Sequence, residues 1–116
     1  MKSRKELKTE YKQMKFPMGV FQIRNIITNK IFIGSNLHVV AEWNSQKFQL
    51  NAGMHSNEEL QKDWKELGPE NFVYEILEEI KESDNKPLDY SKEIKTLEKL
   101  YLEKFNSSPD KIYNRL

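Results

Sequence analysis

The chain has 116 residues, a formal net charge of +1 and 37% hydrophobic residues, which suits one domain with one modest core. It contains no cysteine, which excludes a disulfide framework, thiolate metal sites and a cysteine nucleophile, and its two histidines are too few for a zinc centre built on several histidines. No apolar run approaches the roughly 20 residues of a membrane span, and the first residues lack the apolar stretch of a secretory signal. We therefore expect a soluble cytoplasmic protein with no membrane attachment.

Charge is unevenly distributed along the chain. The first 57 residues carry nine Lys and Arg against three Asp and Glu, and six of these nine cations come before Phe16. Residues 58–103 carry seven against fourteen. A basic front region suits an anionic partner such as a phosphate backbone, and charges that merely solvate a helix face explain it equally well. For the acidic region we favour the second interpretation.

The first part of the chain forms a separate pattern. Leu7, Tyr11 and Met14 lie at helical spacing among many lysines, and Pro17 ends the pattern. This predicts a basic N-terminal helix or arm over residues 1–17.

The remaining residues, 18–116, predict one α+β domain on a small, mostly antiparallel sheet. Alternating apolar residues predict two strands over 19–25 and 30–35, which form an antiparallel hairpin because the link between them is too short for a crossover. A run of aromatic and β-branched residues predicts a third strand over 72–77.

Three helices are predicted between and after these strands. Asn36 is the predicted cap of the first helix, and Ser56 with Glu59 forms the capping box of the second. Trp43 and Trp64 fit helix faces and are expected in the core. The first helix is predicted over residues 37–51, with the apolar face Leu37, Val40, Trp43, Phe48 and Leu50. The second is predicted over 57–68, with the apolar face Leu60, Trp64 and Leu67. The third runs from 91 to about 105, with the apolar face Ile94, Leu97, Tyr101 and Phe105.

Glu98 is the unusual residue of the last predicted helix. It lies four residues after Ile94 and four before Leu102, so its carboxylate falls on an otherwise apolar line of the helix. One interpretation is a functional carboxylate. The other is that the helix turns slightly and leaves Glu98 in water at the edge of the apolar face, where most charged helix residues lie.

Gly34 directly follows an apolar run, and a backbone or a phosphate could approach the sheet closely there, although a bend at the end of the strand explains it as well. His38 and His55 lie beside predicted helix ends and have no partner at metal-ligand spacing, so we expect surface or capping residues. The sequence has no P-loop, nucleotide fingerprint or Ser-His-acid pattern.

Several short motifs occur in a definite order. They are Gly19-Val20-Phe21, Phe32-Ile33-Gly34-Ser35, Lys62-Asp63-Trp64, the strand over residues 71–77, Leu97-Glu98 and Tyr113-Asn114. Over about residues 18–114, this order resembles the GIY-YIG endonuclease family. The resemblance implies a three-stranded antiparallel sheet flanked by helices, and hydrolysis of a DNA phosphodiester with one divalent metal.

The resemblance also implies roles for individual residues. Glu98 matches the metal-binding glutamate, which implies one Mg²⁺ or Mn²⁺ held by this carboxylate, a phosphate oxygen and several waters. Asn114 matches a structural or phosphate-contacting asparagine. Gly34 matches the glycine that leaves room beside the site.

The sequence departs from the family pattern at four positions. Phe21 and Phe32 stand where the family has two tyrosines, and phenylalanine has no hydroxyl with which to position or deprotonate a water. Glu42 stands where an arginine would neutralise the developing negative charge, and Gln46 stands where the family has a histidine. Lys47 is adjacent, but a neighbour on a helix points elsewhere. The resemblance with these departures implies weak or no hydrolysis.

Three functions are compatible with these residues. The first is a nuclease-like domain that binds nucleic acid such as DNA, or a protein partner, with weak or no hydrolysis. The second is an active, divergent metal-dependent DNA endonuclease, in which Glu42 could join Glu98 at the metal. The third is a protein-interaction module that does not bind nucleic acid. The candidate catalytic positions are Glu98, Phe21, Phe32 and Glu42, and the candidate nucleic-acid contacts are Arg24, Lys30, Lys47 and Asn114.

Overall fold

The computed structural model describes residues 17–80 and 90–115. The predicted N-terminal helix or arm over residues 1–17 lies outside the described residues, except for Pro17. Within the two described ranges, no helix is long and apolar enough to cross a membrane. The strands and helices in chain order are β1 (Met18–Asn25), β2 (Ile31–Asn36), α1 (Glu42–Asn51), α2 (Glu58–Leu67), β3 (Phe72–Ile80) and α3 (Tyr90–Glu103).

In the described residues, the three strands form one antiparallel sheet with β1 between β2 and β3. The predicted α+β class and the hairpin are confirmed. Asn25 closes the hairpin turn: its N–H donates to the Lys30 carbonyl at 2.9 Å, and its Oδ1 accepts from the Ile27 N–H at 2.9 Å. Asn29 adopts a left-handed conformation with φ of 64°, which asparagine tolerates better than most residues.

Both faces of the sheet are buried, because successive residues of β1 point to opposite sides. Phe21 and Ile23 pack with side chains of α1 and α2 in a first core. Val20 packs in a second core with Ile33 of β2 and with side chains of α3. The helices α1 and α3 therefore lie on opposite faces of the sheet.

The end of the chain, residues 112–115, runs beside the outer edge of β2, and we call it the C-terminal segment. Ile112 pairs with Ile31 in parallel orientation, and the Tyr113 N–H donates to the Ile31 carbonyl at 2.7 Å. This pairing gives Ile31 a backbone partner within the chain and covers the first part of the β2 edge.

The first helix begins later than predicted, at Glu42. Residues 37–41 form a turn, in which the Asn36 side chain accepts a hydrogen bond from the His38 N–H at 2.8 Å and so does not cap the helix. The predicted apolar face is wrong in part, because the turn redirects its first residues and the helix buries Gln46. Three predicted members of that face are exposed: Leu37, Val40 and Phe48.

The cap of α2 also differs from the prediction. Asn57, and not Ser56, is the cap, since its Oδ1 accepts from the Leu60 N–H at 3.0 Å. A cap one residue later places Leu60 at the third helical position, where no carboxylate is available for a capping box. Glu59 forms an ion pair with Lys30 instead.

Candidate functional site

Phe21 and Phe32, the aromatic residues of the paired motif, have different environments. Phe21 is buried in the first core, and its ring centroid lies 5.0 Å from that of Tyr74. The ring also lies over Gly34, where an added Cβ would come within 2.5 Å of Phe21 Cζ. An internal side chain thus approaches Gly34 closely. Phe32, in contrast, is only half-buried.

Phe32 lines a cleft of about 380 Å³. Its ring packs edge-on against His55, with 5.3 Å between the ring centroids. The other lining residues come from the start of α2, from α3 and from the C-terminal segment: Ser56, Asn57, Glu58, Leu102, Asn114 and Arg115. We call this concavity the Phe32 cleft.

A chain of hydrogen bonds connects Glu42 with the buried His55, and we call it the Glu42–His55 network. Gln46 is the link, because its Nε2 donates to Glu42 Oε1 at 2.8 Å and its Oε1 lies 2.5 Å from His55 Nε2. The Asn57 N–H donates to His55 Nδ1 at 3.0 Å, so neutral His55 carries its proton on Nε2 and donates it to Gln46. Asn36 Nδ2 donates to the second Glu42 oxygen at 2.5 Å.

The surface alternative predicted for His55 is wrong, since the residue is buried. Its ring links α1 to the start of α2, where Nδ1 accepts the N–H of the cap residue Asn57, as the capping alternative expects. Burial lowers the pKa of His55, and the Glu42 carboxylate opposes this shift. Burial also raises the pKa of Tyr74, with a smaller contribution from Glu42 in the same direction. Glu42 lies in the first turn of α1, where the helix dipole favours a negative charge, so its carboxylate also stabilises the helix.

Glu98 lies on the side of α3 that packs on the sheet. Its side chain is 19% exposed, and its Oε2 lies 3.6 Å from Lys95 Nζ. Leu102, one turn further along the same line of the helix, lines the Phe32 cleft. Glu42 is carried by α1 on the opposite face, where Asn36 and Gln46 bind its oxygens.

A divalent cation fits Glu98 chemically. Among the described residues, no group of three or more His, Cys, Asp and Glu could hold a metal ion. Magnesium in phosphate chemistry needs only one or two carboxylates, since phosphate oxygens and waters complete its shell. One partly exposed carboxylate is therefore a sufficient protein ligand.

The three predicted cationic contacts are engaged by neighbours within the domain. Arg24 Nε lies 2.8 Å from Glu75, and this hydrogen bond, with a second from Gln22, lowers the pKa of Glu75. Lys30 pairs with Glu59 and lies 5.2 Å from the ring centroid of Tyr113. Lys47 Nζ lies 5.1 Å from the ring centroid of Trp43.

Asn114 is at the Phe32 cleft and joins the C-terminal segment to β2. Its Oδ1 accepts from the Ile33 N–H at 2.8 Å, and its Nδ2 donates to the Ile33 carbonyl at 2.8 Å. Asn57 Nδ2 donates to the Tyr113 carbonyl at 2.8 Å, which fixes the preceding residue as well. The structure thus gives Asn114 a structural contact.

Arg115, which no sequence motif singled out, lines the Phe32 cleft. The signal that could have found it is its position directly after the Tyr113-Asn114 motif. The hydrogen bonds that hold Asn114 against Ile33 also restrict the backbone position of the next residue, Arg115.

Two solved structures have a fold similar to that of this chain. No protein-family model and no curated protein matches this chain. The catalytic domain of the homing endonuclease I-TevI has a similar structure, with a TM-score of 0.69, 28% identity, and coverage of 85% of this chain and 98% of that chain. A structure of the same catalytic domain with a glutamate replaced by alanine gives a TM-score of 0.70, 27% identity, and coverage of 85% and 93%. The resemblance to the GIY-YIG endonuclease family is confirmed, and this chain has the three-stranded α+β fold of a GIY-YIG catalytic domain.

Proposed function

We propose that this domain binds DNA and hydrolyses it weakly or not at all. The fold shared with a GIY-YIG catalytic domain supports DNA binding, and the Glu42–His55 network supports weak or absent hydrolysis. Glu42 and Gln46 stand where the resemblance implies an arginine and a histidine, and they bond to each other and to His55 within the protein. A carboxylate at this place repels a phosphate oxyanion instead of stabilising it.

The paired motif also lacks the hydroxyls that hydrolysis would use. Phe21 is 2% exposed, and Phe32 brings only an apolar ring to the cleft. Removal of one oxyanion donor costs about 10²–10³ in rate, and removal of a general base costs about 10²–10⁴. These losses are not additive, but either one alone leaves slow hydrolysis.

A divalent cation would be held by Glu98 together with a phosphate oxygen and waters. When bound, it would supply Lewis-acid stabilisation of the phosphate charge. Lys95 Nζ lies 3.6 Å from the same carboxylate and would compete with the cation for it. With a cation bound, Glu98 would support the binding of a phosphate near α3 even where no bond is broken.

An active, divergent endonuclease is the second candidate function. Glu98 favours it, because its side chain is 19% exposed. Leu102, one turn further along the same side of α3, lines the Phe32 cleft. A cation at this carboxylate would be the remaining source of charge stabilisation.

The test measures binding and cleavage separately. Anisotropy of a labelled duplex across a salt series is expected to show affinity that falls steeply with salt, as phosphate contacts require. Supercoiled plasmid with Mg²⁺ or Mn²⁺ is expected to show no nicking above that of Glu98→Gln. Glu103→Gln is the matched control, because it removes the same charge from the exposed end of α3.

Two results would contradict the proposal in different ways. Nicking by the wild type and by Glu103→Gln, but not by Glu98→Gln, would establish the active endonuclease. Absence of duplex binding at low salt would reject DNA as the partner and favour a protein-interaction module.

A further inference from the structure

We infer that Arg115 binds a backbone phosphate of the nucleic acid at the Phe32 cleft. The inference rests on the proposed DNA binding and names the residue that makes the contact. Arg115 lines the cleft together with Phe32 and Asn114. The ligand class is a phosphodiester, because a guanidinium presents paired donors that match two phosphate oxygens.

The backbone that carries Arg115 is held in place. The Asn114 side chain bonds to both backbone groups of Ile33, at 2.8 Å each. The Tyr113 N–H donates to Ile31, and the Tyr113 carbonyl accepts from Asn57. Four hydrogen bonds therefore fix the two residues before Arg115, so a bound phosphate orders one side chain and not a whole loop.

The guanidinium of Arg115 is available to a ligand. Its side chain is exposed, and among residues 17–80 and 90–115 no carboxylate forms an ion pair with it. Arg24 and Lys30 differ in this respect, since Glu75 and Glu59 neutralise them. A cation without a protein partner loses no existing bond when a phosphate arrives.

The cleft also contains a charge of the opposite sign. Glu58, at the start of α2, lines the same concavity and is exposed. A phosphate at Arg115 would be repelled by Glu58, so neutralising this carboxylate should strengthen binding. The two residues therefore give variants with opposite expected effects at one site.

The test compares Arg115→Ala with Lys111→Ala in duplex binding across a salt series. Lys111 is a matched control, because it removes the same charge from the same stretch of chain but lines a different cavity, with Thr28 and Phe105. Loss of one phosphate contact should lower the slope of log affinity against log salt by about 0.9, and weaken binding about tenfold at low salt. Lys111→Ala should change affinity less than about twofold.

Two further variants sharpen the assignment. Arg115→Lys keeps the charge but loses the paired donors, so an intermediate loss is expected. Glu58→Gln should raise affinity, and the gain should disappear at high salt. Equal thermal unfolding of all variants would show that the fold is intact.

The outcomes separate this inference from the proposed function. If the wild-type chain binds the duplex and Arg115→Ala equals Lys111→Ala, the inference is overturned and the DNA-binding proposal stands. If the wild-type chain does not bind the duplex, both are rejected together. A selective loss at Arg115, with a gain for Glu58→Gln, supports the inference.

Discussion

The core around Phe21 and the cleft beside Phe32 differ in where their polar groups find partners. On the face of the sheet that carries Phe21, the Glu42–His55 network joins a carboxylate, an amide and an imidazole to one another inside the protein, and its His55 ring also packs against Phe32. At the cleft, Arg115 has no ion-pair partner among the described residues. Two positions to which the resemblance assigns chemistry, Glu42 and Gln46, bond within the protein here, whereas the cation that we propose as a phosphate contact comes from the C-terminal segment.

The position of Arg115 at the cleft depends most on Asn114, because the Asn114 side chain lines the cleft and holds the C-terminal segment against β2. Asn114→Ala removes two hydrogen bonds and leaves both backbone groups of Ile33 without their partner. We expect a loss of about 3 kcal/mol in the free energy of unfolding, measured by urea denaturation. Duplex binding by the folded fraction should weaken as well, since Arg115 loses its anchor.

Asn106→Ala is the control for Asn114→Ala, because Asn106 is an exposed residue after α3. Its expected effect lies within about 0.5 kcal/mol of the wild type. Equal stability of the two variants would mean that the C-terminal segment is not held by the Asn114 side chain.

A tyrosine at each aromatic position sharpens the comparison directly. Phe21→Tyr places a hydroxyl in the first core, where the ring already lies against Gly34, and is expected to cost about 1–3 kcal/mol. Phe32→Tyr places the hydroxyl at the cleft, where water reaches it, and is expected to change stability by less than about 0.5 kcal/mol. Thermal unfolding of the two variants measures both values.

The two tyrosine variants control each other, since each adds the same oxygen to the same ring. Equal destabilisation would remove the distinction between core and cleft. A stable Phe21→Tyr would show that the first core has a partner ready for the hydroxyl.

The sequence was sufficient for the sheet and its two faces. Alternation in β1 assigns Phe21 and Val20 to opposite sides without knowledge of their partners, since the period of a strand is two. The order of motifs indicated the family, and the structural comparison confirms it.

The sequence was not sufficient where one polar contact decides the structure. The start of α1 depends on a turn in which Asn36 bonds to His38, and a helical apolar pattern over the same residues concealed it. The cap of α2 at Asn57 was hidden by an equally good Ser56 pattern one residue earlier. The burial of His55 depends on Gln46 and the Phe32 ring, which meet it only in the folded chain.

Acid is expected to act on His55, which gives the smallest expected effect: protonation of Nδ1 removes the acceptor of the Asn57 N–H, whereas Nε2 continues to donate to Gln46. The folded pKa of His55 lies below its ordinary value of 6.5, mainly through burial, so the unfolded chain binds more protons between the two values. Stability is therefore constant above this window and falls as the pH drops from about 6.5 towards the folded pKa, by at most about 1.4 kcal/mol per pH unit. Urea denaturation at a series of pH values measures the slope.

His55→Gln should remove this slope, because the amide does not titrate, whereas His38→Gln should retain it. The Glu75 carboxylate does not interfere: the hydrogen bond from Arg24 lowers its pKa from 4.5, so its contribution is lost only at more acidic pH. A slope that persists in His55→Gln would place the titrating group elsewhere. In that case, protonation would not disturb the hydrogen bond from the Asn57 N–H to His55 Nδ1, and the start of α2 would be no more sensitive to acid than the open cleft.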